Sequence, residues 1–362
     1  MDFTPTDEQR ALADAVKGVL ARRGSPAAEQ GAPAAPAAHD ETLWQALVEV
    51  GVPALPWSEE DGGVGAGFTD LAAAATEIGR SRLQVPLAEV VVAGSVVART
   101  GDDALRTEIL GGLSEGEVLL VPALAEPMRA FSPTPVEVTA TRSGDGWALT
   151  GTKAPVRYAP AATHLVVSAA TDTGAGLFLL DAADISSEEV VLDGAVAREL
   201  AVGDAAEEAL RQALALGGAV LNAEALGAME EALRMTTEYL RTREQFGRPL
   251  ASFQALTHRA ADMYAQLELA RSATLYAAMV ADEDPIDVDA IERSRAVVDK
   301  SARLVGQEAV QMHGGIGVTA EYPVGHLTAR LTAISRTWGT PRARLSDLGT
   351  RVADHADVDV LA

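Results

Sequence analysis

Two stretches of this chain carry residue types that could hold a charged ligand. The first runs Arg241-Thr242-Arg243-Glu244-Gln245-Phe246-Gly247-Arg248-Pro249-Leu250, with Ser252-Phe253-Gln254 just beyond. A guanidinium can grip a phosphate through two parallel N–H bonds, and an amide or a ring beside it can flank the same group. The plainer role of these arginines is to complement the dipole at a helix end, and taken alone the stretch favours that role. The second runs Gln311-Met312-His313-Gly314-Gly315-Ile316-Gly317-Val318. Paired glycines let a backbone approach a ligand closely, because no Cβ stands between them. By themselves they read more simply as a helix stop, with His313 a polar side chain at the helix end. The remaining histidines, His39, His164, His258, His326 and His355, are scattered singly, without the spacing of metal ligands. No metal site is expected. The chain has no cysteine, which excludes disulfides, thiolate metal sites and cysteine nucleophiles.

The elements that must position these stretches fall into three blocks. Residues 1–117 read as a helical domain. Thr4-Pro5-Thr6-Asp7 opens a helix over 5–22, with a capping threonine and proline at the first helical position. A loose Ala/Pro/Gly loop follows over 24–38, then helices over 40–50, 68–79, 86–100 and 102–112. Residues 118–204 change character. Val136-Glu137-Val138-Thr139-Ala140-Thr141 alternates with period two, Ser143-Gly144-Asp145-Gly146 turns, and Trp147-Ala148-Leu149-Thr150 returns. Further strands fit 164–169, 176–180 and 189–192, which makes a small antiparallel β domain. Residues 205–362 are helical again, over 206–244, 252–282, 286–313 and 322–335. The fold class is mostly α with a central β domain, closed by a four-helix bundle.

Composition limits the partners. The 362 residues suffice for two or three domains with sizeable cores, and the 48% hydrophobic content is that of a globular chain. The net charge of −23 argues against nucleic acid and anionic membranes, which both call for positive charge. An anionic small ligand stays open, since a few placed arginines could hold it. The start, MDFTPTDEQR, lacks the basic residues and apolar run of a signal peptide, so a cytoplasmic location is expected.

Taken together, the helical–β–helical order, RTREQFGRPL with its Phe-Gln, and QMHGGIGVTAEYP some 60 residues on resemble the acyl-CoA dehydrogenase family. "DFTPTDEQRALA", "LWQALVEVGVPALPWSEEDGGVG" and "LAEVVVAGSVVA" fit its opening helices, so the resemblance covers nearly the whole chain. It implies the acyl-CoA dehydrogenase fold, and FAD held at a subunit interface. The ring would lie on one subunit's β domain and the ADP end on the partner's C-terminal helices. It implies removal of a proton from Cα of an acyl-CoA thioester and of a hydride from Cβ to the flavin. Arg243 would face the pyrophosphate, with Gln245, Phe246 and Gln254 near it. Gln311, Gly314 and Gly315 would line the adenosine end. An acyl-CoA substrate and an electron-transfer flavoprotein are implied as partners.

The chain departs from the family where the chemistry should occur. The family's base is a Glu seventeen residues after the Glu of the Glu-Tyr-Pro motif, and here Glu321-Tyr322-Pro323 leads to Trp338. An indole N–H donates only and cannot take a proton. Some relatives carry the base 26 residues before the flavin-binding arginine, which here is Gly217. Glu224 lies about 10 Å farther along that helix, beyond carboxylate reach, and reads as structural or solvent-facing. Glu230 and Glu231 are farther still. No catalytic residue is assigned, and Trp338 is expected to plug the vacated cavity. The ring side is altered as well. The family's Gly-Ser-Asp run is absent after Ala125-Glu126-Pro127-Met128-Arg129-Ala130-Phe131-Ser132. Its Trp-Ile-Thr/Ser-Asn run is replaced by Pro155-Val156-Arg157-Tyr158, and Pro155 brings no N–H for the ring.

The kept ADP half and the lost ring half resemble the non-catalytic subunit of heterotetrameric α2β2 acyl-CoA dehydrogenases of bacterial sterol side-chain degradation. Such a chain would share FAD with a catalytic partner subunit that oxidises a bulky acyl-CoA, steroid-CoA among the candidates. A second reading is a self-sufficient homo-oligomeric dehydrogenase with a relocated base. A third is a non-enzymatic acyl-CoA-binding or assembly protein.

Overall fold

Local capping sets where the helices begin. In a computed structural model, residues 4–23, 39–129, 132–144, 146–283 and 285–352 are described. The expected loop over 24–38, Ala130, Phe131, Asp145 and His355 lie outside these residues. The first helix, α1 (Asp7–Arg23), is opened by Thr6 and not by Thr4. The Thr6 hydroxyl accepts from the N–H of Gln9, and the Gln9 side chain accepts from the N–H of Thr6. That reciprocal pair satisfies two donors the helix would otherwise leave open. Asp40 caps α2 (Glu41–Glu49), and Asp102 caps α5 (Asp103–Glu115), each through its carboxylate. Between them lie α3 (Phe68–Ser81) and α4 (Leu87–Thr100), whose apolar faces fill the N-terminal core.

The sheet has six strands: β1 (Leu120–Ala123), β2 (Thr139–Ser143), β3 (Gly146–Lys153), β4 (His164–Thr171), β5 (Gly174–Asp181) and β6 (Val190–Val202). Their order is β1-β4-β2-β3-β6-β5, and β4 also pairs with β5, so the sheet closes on itself. The expected antiparallel pairing holds along β2–β3, β3–β6, β4–β5 and β5–β6. The purely antiparallel sheet is corrected in one respect. β1 joins β4 in parallel, and β2 meets β4 in parallel at Thr139 and Ala170. The alternating residues 136–138 precede β2 and are not part of it, for a reason given below.

The C-terminal part is built on α6 (Asp204–Thr242), 39 residues and about 58 Å long. It packs against α7 (Gln254–Ala281), α8 (Val288–His313) and α9 (Pro323–Arg336), with α3 and α4 lying on its other faces. A further helix, α10 (Pro341–Thr350), follows. Two glycines allow α3 and α6 to cross closely. A Cβ on Gly79 would stand 1.9 Å from the Glu224 carbonyl oxygen, and one on Gly227 would stand 1.9 Å from that of Thr76. Neither backbone could move aside without breaking its own helix, so the crossing requires glycine.

Candidate functional site

The seven residues expected to hold a nucleotide all lie exposed at one end of the helical bundle. Arg243 follows the last residue of α6, and its N–H donates to the Tyr239 carbonyl at 2.8 Å. The chain then turns through two short strands, β7 (Glu244–Gln245) and β8 (Arg248–Pro249), with Gln245 paired to Arg248. The turn between them needs left-handed backbone at Phe246 (φ 54°) and Gly247 (φ 76°). That conformation throws the Phe246 ring outward, where it is 90% exposed and meets Phe253 edge-on at 6.1 Å. Arg248 lies 4.1 Å over Phe253, and Gln254 begins α7 directly after it. Arg243, Gln245, Phe246 and Gln254 thus share one corner. Gln311, Gly314 and Gly315 form a second group at the C-terminal end of α8. Added Cβ atoms at Gly314 and Gly315 would meet nothing within 4 Å, so open space lies before that backbone. Gln311 also edges a surface depression of about 480 Å³, with Arg259, Gln307, Glu308, Val310 and Thr328. Among the described residues Arg243 makes no ion pair, so its guanidinium is available to an anion from outside the chain.

The two positions at which the family can carry its base are in contact. A Cβ on Gly217 would stand 2.9 Å from Trp338 Cζ3 and 2.3 Å from Val92 Cγ2. The indole therefore occupies the room that a side chain at 217 would need. Trp338 sits in left-handed backbone (φ 54°), half-buried against the core. Two arginines hold its loop. Arg295, 98% buried beside Gly218, donates to the carbonyls of Thr337 at 2.9 Å and Ile334 at 3.3 Å. Burial draws its pKa down to about 10. Arg344 donates to the Ser335 carbonyl at 3.3 Å while paired with Asp299 at 3.2 Å.

A charged cluster lies next to these positions, and sequence reasoning missed it. Arg157 pairs with Glu89 of α4 at 3.1 Å and donates to Gln84 and to the Tyr158 hydroxyl. Glu224 of α6 is ion-paired to Arg330 of α9. Tyr158 feels Arg157, Glu89, Arg330 and Glu224 together, and its pKa is raised chiefly by burial. Burial likewise raises that of Glu224, against the pull of Arg330. The expectation that Glu224 is solvent-facing is corrected: it is 1% exposed, and structural is the reading that stands. One signal was present in the sequence. Glu89 is the lone charge in Val85–Val97, and an acid in so apolar a run needs a cation brought to it.

The segments that depart on the ring side are committed internally. The N–H groups flanking Pro155 are taken, Ala154 by the Ala125 carbonyl at 3.0 Å and Val156 by that of Glu188 at 2.8 Å. Glu126 is buried and ion-paired to buried Lys153 at 3.2 Å. Its carboxylate accepts from the N–H groups of Val136, Glu137 and Val138. Three donors spent on one carboxylate explain why 136–138 do not join the sheet. Lys153 donates also to the Leu124 carbonyl and Ser168 Oγ, each at 3.1 Å. Desolvation brings its pKa down to about 8.

Helical, barrel-like and helical blocks in this order define the class of protein. The chain belongs to the acyl-CoA dehydrogenase family. It matches "Acyl-CoA dehydrogenase, N-terminal domain" over residues 6–117 and "Acyl-CoA dehydrogenase, C-terminal domain" over 207–352. It is 30% identical to acyl-CoA dehydrogenase FadE27 of Mycobacterium tuberculosis, covering 98% of this chain and 99% of the relative. It is 33% identical to FadE28 of the same organism, over 97% and 99%. Among solved structures, a variant of the Tcur3481–Tcur3483 steroid ACAD superimposes with a TM-score of 0.85 at 33% identity, over 97% of this chain and 99% of that one. The ChsE4–ChsE5 complex from M. tuberculosis gives 0.82 at 29%, over 98% and 99%. Butyryl-CoA dehydrogenase from Megasphaera elsdenii gives 0.89 at 25%, over 98% and 100%. The fold is the acyl-CoA dehydrogenase fold. Among the described residues no helix is long and apolar enough to cross a membrane.

Proposed function

We propose that this chain is the FAD-supporting, non-catalytic subunit of a hetero-oligomeric acyl-CoA dehydrogenase that acts on a bulky, steroid-class acyl-CoA. Domains over 1–117, 118–204 and 205–362 frame this reading. The observation that carries it is the contact between Trp338 and Gly217. Neither position that could hold the base bears a carboxylate, and the indole of one fills the space of the other. Proton abstraction from Cα needs an acceptor within hydrogen-bond reach, and the neighbouring carboxylates, Glu89 and Glu224, are both taken up in ion pairs, with Arg157 and Arg330.

The residues present fit one end of FAD and not the other. The ADP end suits the exposed corner. Arg243 is free to grip a pyrophosphate bidentately, Gln245, Phe246 and Gln254 flank it, and Gln311 with the open backbone of Gly314 and Gly315 receives the adenosine. The ring end is opposed by spent N–H groups around Pro155 and by the Arg157–Glu89 pair. In the complete assembly, FAD supplies the acceptor for the hydride leaving Cβ. This chain's part is to hold the cofactor's anionic end for a catalytic neighbour in the α2β2 arrangement. Likeness to a steroid ACAD and to the two-component ChsE4–ChsE5 complex supports both the substrate class and the paired subunits. A cytoplasmic location and an electron-transfer flavoprotein as redox partner complete the proposal.

The test is co-expression with a family member that carries the missing Glu, followed by the visible spectrum and a flavin count. The isolated chain is expected to be colourless and the complex to carry one FAD per heterodimer. Arg243→Ala should then strip FAD from the complex. A yellow isolated chain that is bleached by an acyl-CoA would overturn the reading.

A further inference from the structure

The two halves of the exposed corner are far apart in sequence, and something must keep them in register. Arg243 ends α6, while Gly314 and Gly315 end α8. The structure joins these two helix ends through a stack of rings. The His313 imidazole lies against Tyr239 with ring centroids 4.6 Å apart and planes 30° from parallel. Tyr322, just before α9, approaches the same imidazole to 4.9 Å with its plane tilted by 50°. The two tyrosines meet at 6.4 Å, so the three rings form one cluster.

Two of the rings are tied to residues of the corner. Tyr239 is the residue whose carbonyl accepts the Arg243 N–H. His313 directly precedes Gly314, and it is 97% buried although it adjoins an exposed turn. Its Nδ1 lies 2.7 Å from the Ala309 carbonyl one turn earlier. The ring thus bridges the backbone that carries the arginine and the backbone that carries the glycines.

We propose that His313, stacked on Tyr239 and abutted by Tyr322, is a positioning residue that sets the separation of the pyrophosphate-side and adenosine-side halves of the FAD-supporting corner. This rests on the function proposed above. Stacking supplies the constraint, because aromatic pairs prefer defined mutual geometries and gain from them beyond the area they bury. A phenylalanine therefore preserves the device, and an alanine releases it.

The experiment uses the assembly obtained by tagging this chain in its own host. FAD per heterodimer and the FAD dissociation constant are read by absorbance and flavin fluorescence. His313→Ala and Tyr239→Leu are expected to weaken FAD retention about tenfold, the scale of a lost aromatic pair together with loosened geometry. His313→Phe and Tyr239→Phe should stay within about twofold of the parent, since both keep the rings stacked. If His313→Ala does not fold, Tyr239→Leu carries the same test. Arg243→Ala separates the two levels of the argument. If it strips FAD while His313→Ala and Tyr239→Leu retain it, the positioning role is overturned and the supporting-subunit reading survives. If His313→Phe is as weak as His313→Ala, stacking is not the device. If Arg243→Ala itself keeps its FAD, both levels fall.

Discussion

Arg330→Met tests whether the charged cluster is a sealed interior or a wet chamber able to take a ligand. Glu224 and Arg330 have side chains only 2% and 11% exposed. Removing one member of a buried pair leaves the other charge desolvated, which costs about 3–5 kcal/mol, whereas a solvated pair is worth under about 1 kcal/mol. Arg157 also acts on Glu224, so the lower end, about 3 kcal/mol, is expected. The sign of the pH dependence follows from burial. The folded-state pKa of Glu224 already lies above its ordinary value of 4.5, and loss of Arg330 raises it further. A carboxyl raised on folding loses stability as pH climbs through its folded pKa and gives no penalty below the unfolded one. The cost of Arg330→Met should therefore be greatest near neutrality and shrink as pH falls toward 4.5. Glu224→Met in addition should return stability to within about 1 kcal/mol of the parent, since paired apolar replacements are often neutral. Equilibrium urea unfolding at neutral and mildly acidic pH measures all three. A cost under about 1 kcal/mol that does not vary with pH would show Glu224 in contact with water, and the closed-chamber argument would be wrong.

Two further outcomes follow. Trp338→Glu restores a carboxylate at the family's base position, yet the isolated chain should remain colourless and inactive in an acyl-CoA-dependent dye-reduction assay. The ring side stays blocked, so measurable turnover would refute that account. Lys153, with a folded pKa near 8 against 10.5 when unfolded, binds fewer protons in the folded state across that window. Its contribution to stability therefore rises with pH between those values. Thermal melts at successive pH values should show the parent gaining on Lys153→Met as pH rises, and parallel curves would refute the buried-lysine assignment.

Much of the helical frame could be read in advance because its segments are long and periodic, but β1 and α10 were missed for opposite reasons. All four residues of β1 are buried, so it shows no alternation and contains Pro122 besides. α10 buries no residue and offers no apolar stripe, and its sign was the Thr340-Pro341 start. Residues 136–138 erred the other way. They alternate like a strand, but the Glu126 carboxylate takes their N–H groups before a neighbouring strand can. The departures at 217 and 338 could be read because each depends on a single position at a fixed spacing from a motif. The charged cluster was not, since Glu89 meets Arg157 and Glu224 meets Arg330 across long stretches of chain that only the fold brings together.

On the function proposed above, these contacts bear on how a chain could lose a reaction and keep its fold. Deleting a base alone would leave a cavity beside α4 and α6, and an unfilled cavity destabilises in proportion to its size. Here glycine at 217 and tryptophan at 338 are complementary: the small residue admits the large one, and a Cβ at 217 would strike both the indole and Val92. Arg295 and Arg344 then hold the loop by its backbone carbonyls. None of this touches the C-terminal ends of α6 and α8. The exposed corner rests instead on its own ring stack, with Tyr239 and His313 drawn from those same two helices. The bundle therefore separates two tasks physically. Its interior could be refilled without moving Arg243, because what locates Arg243 lies at the far end of α6, more than 20 residues from Gly217.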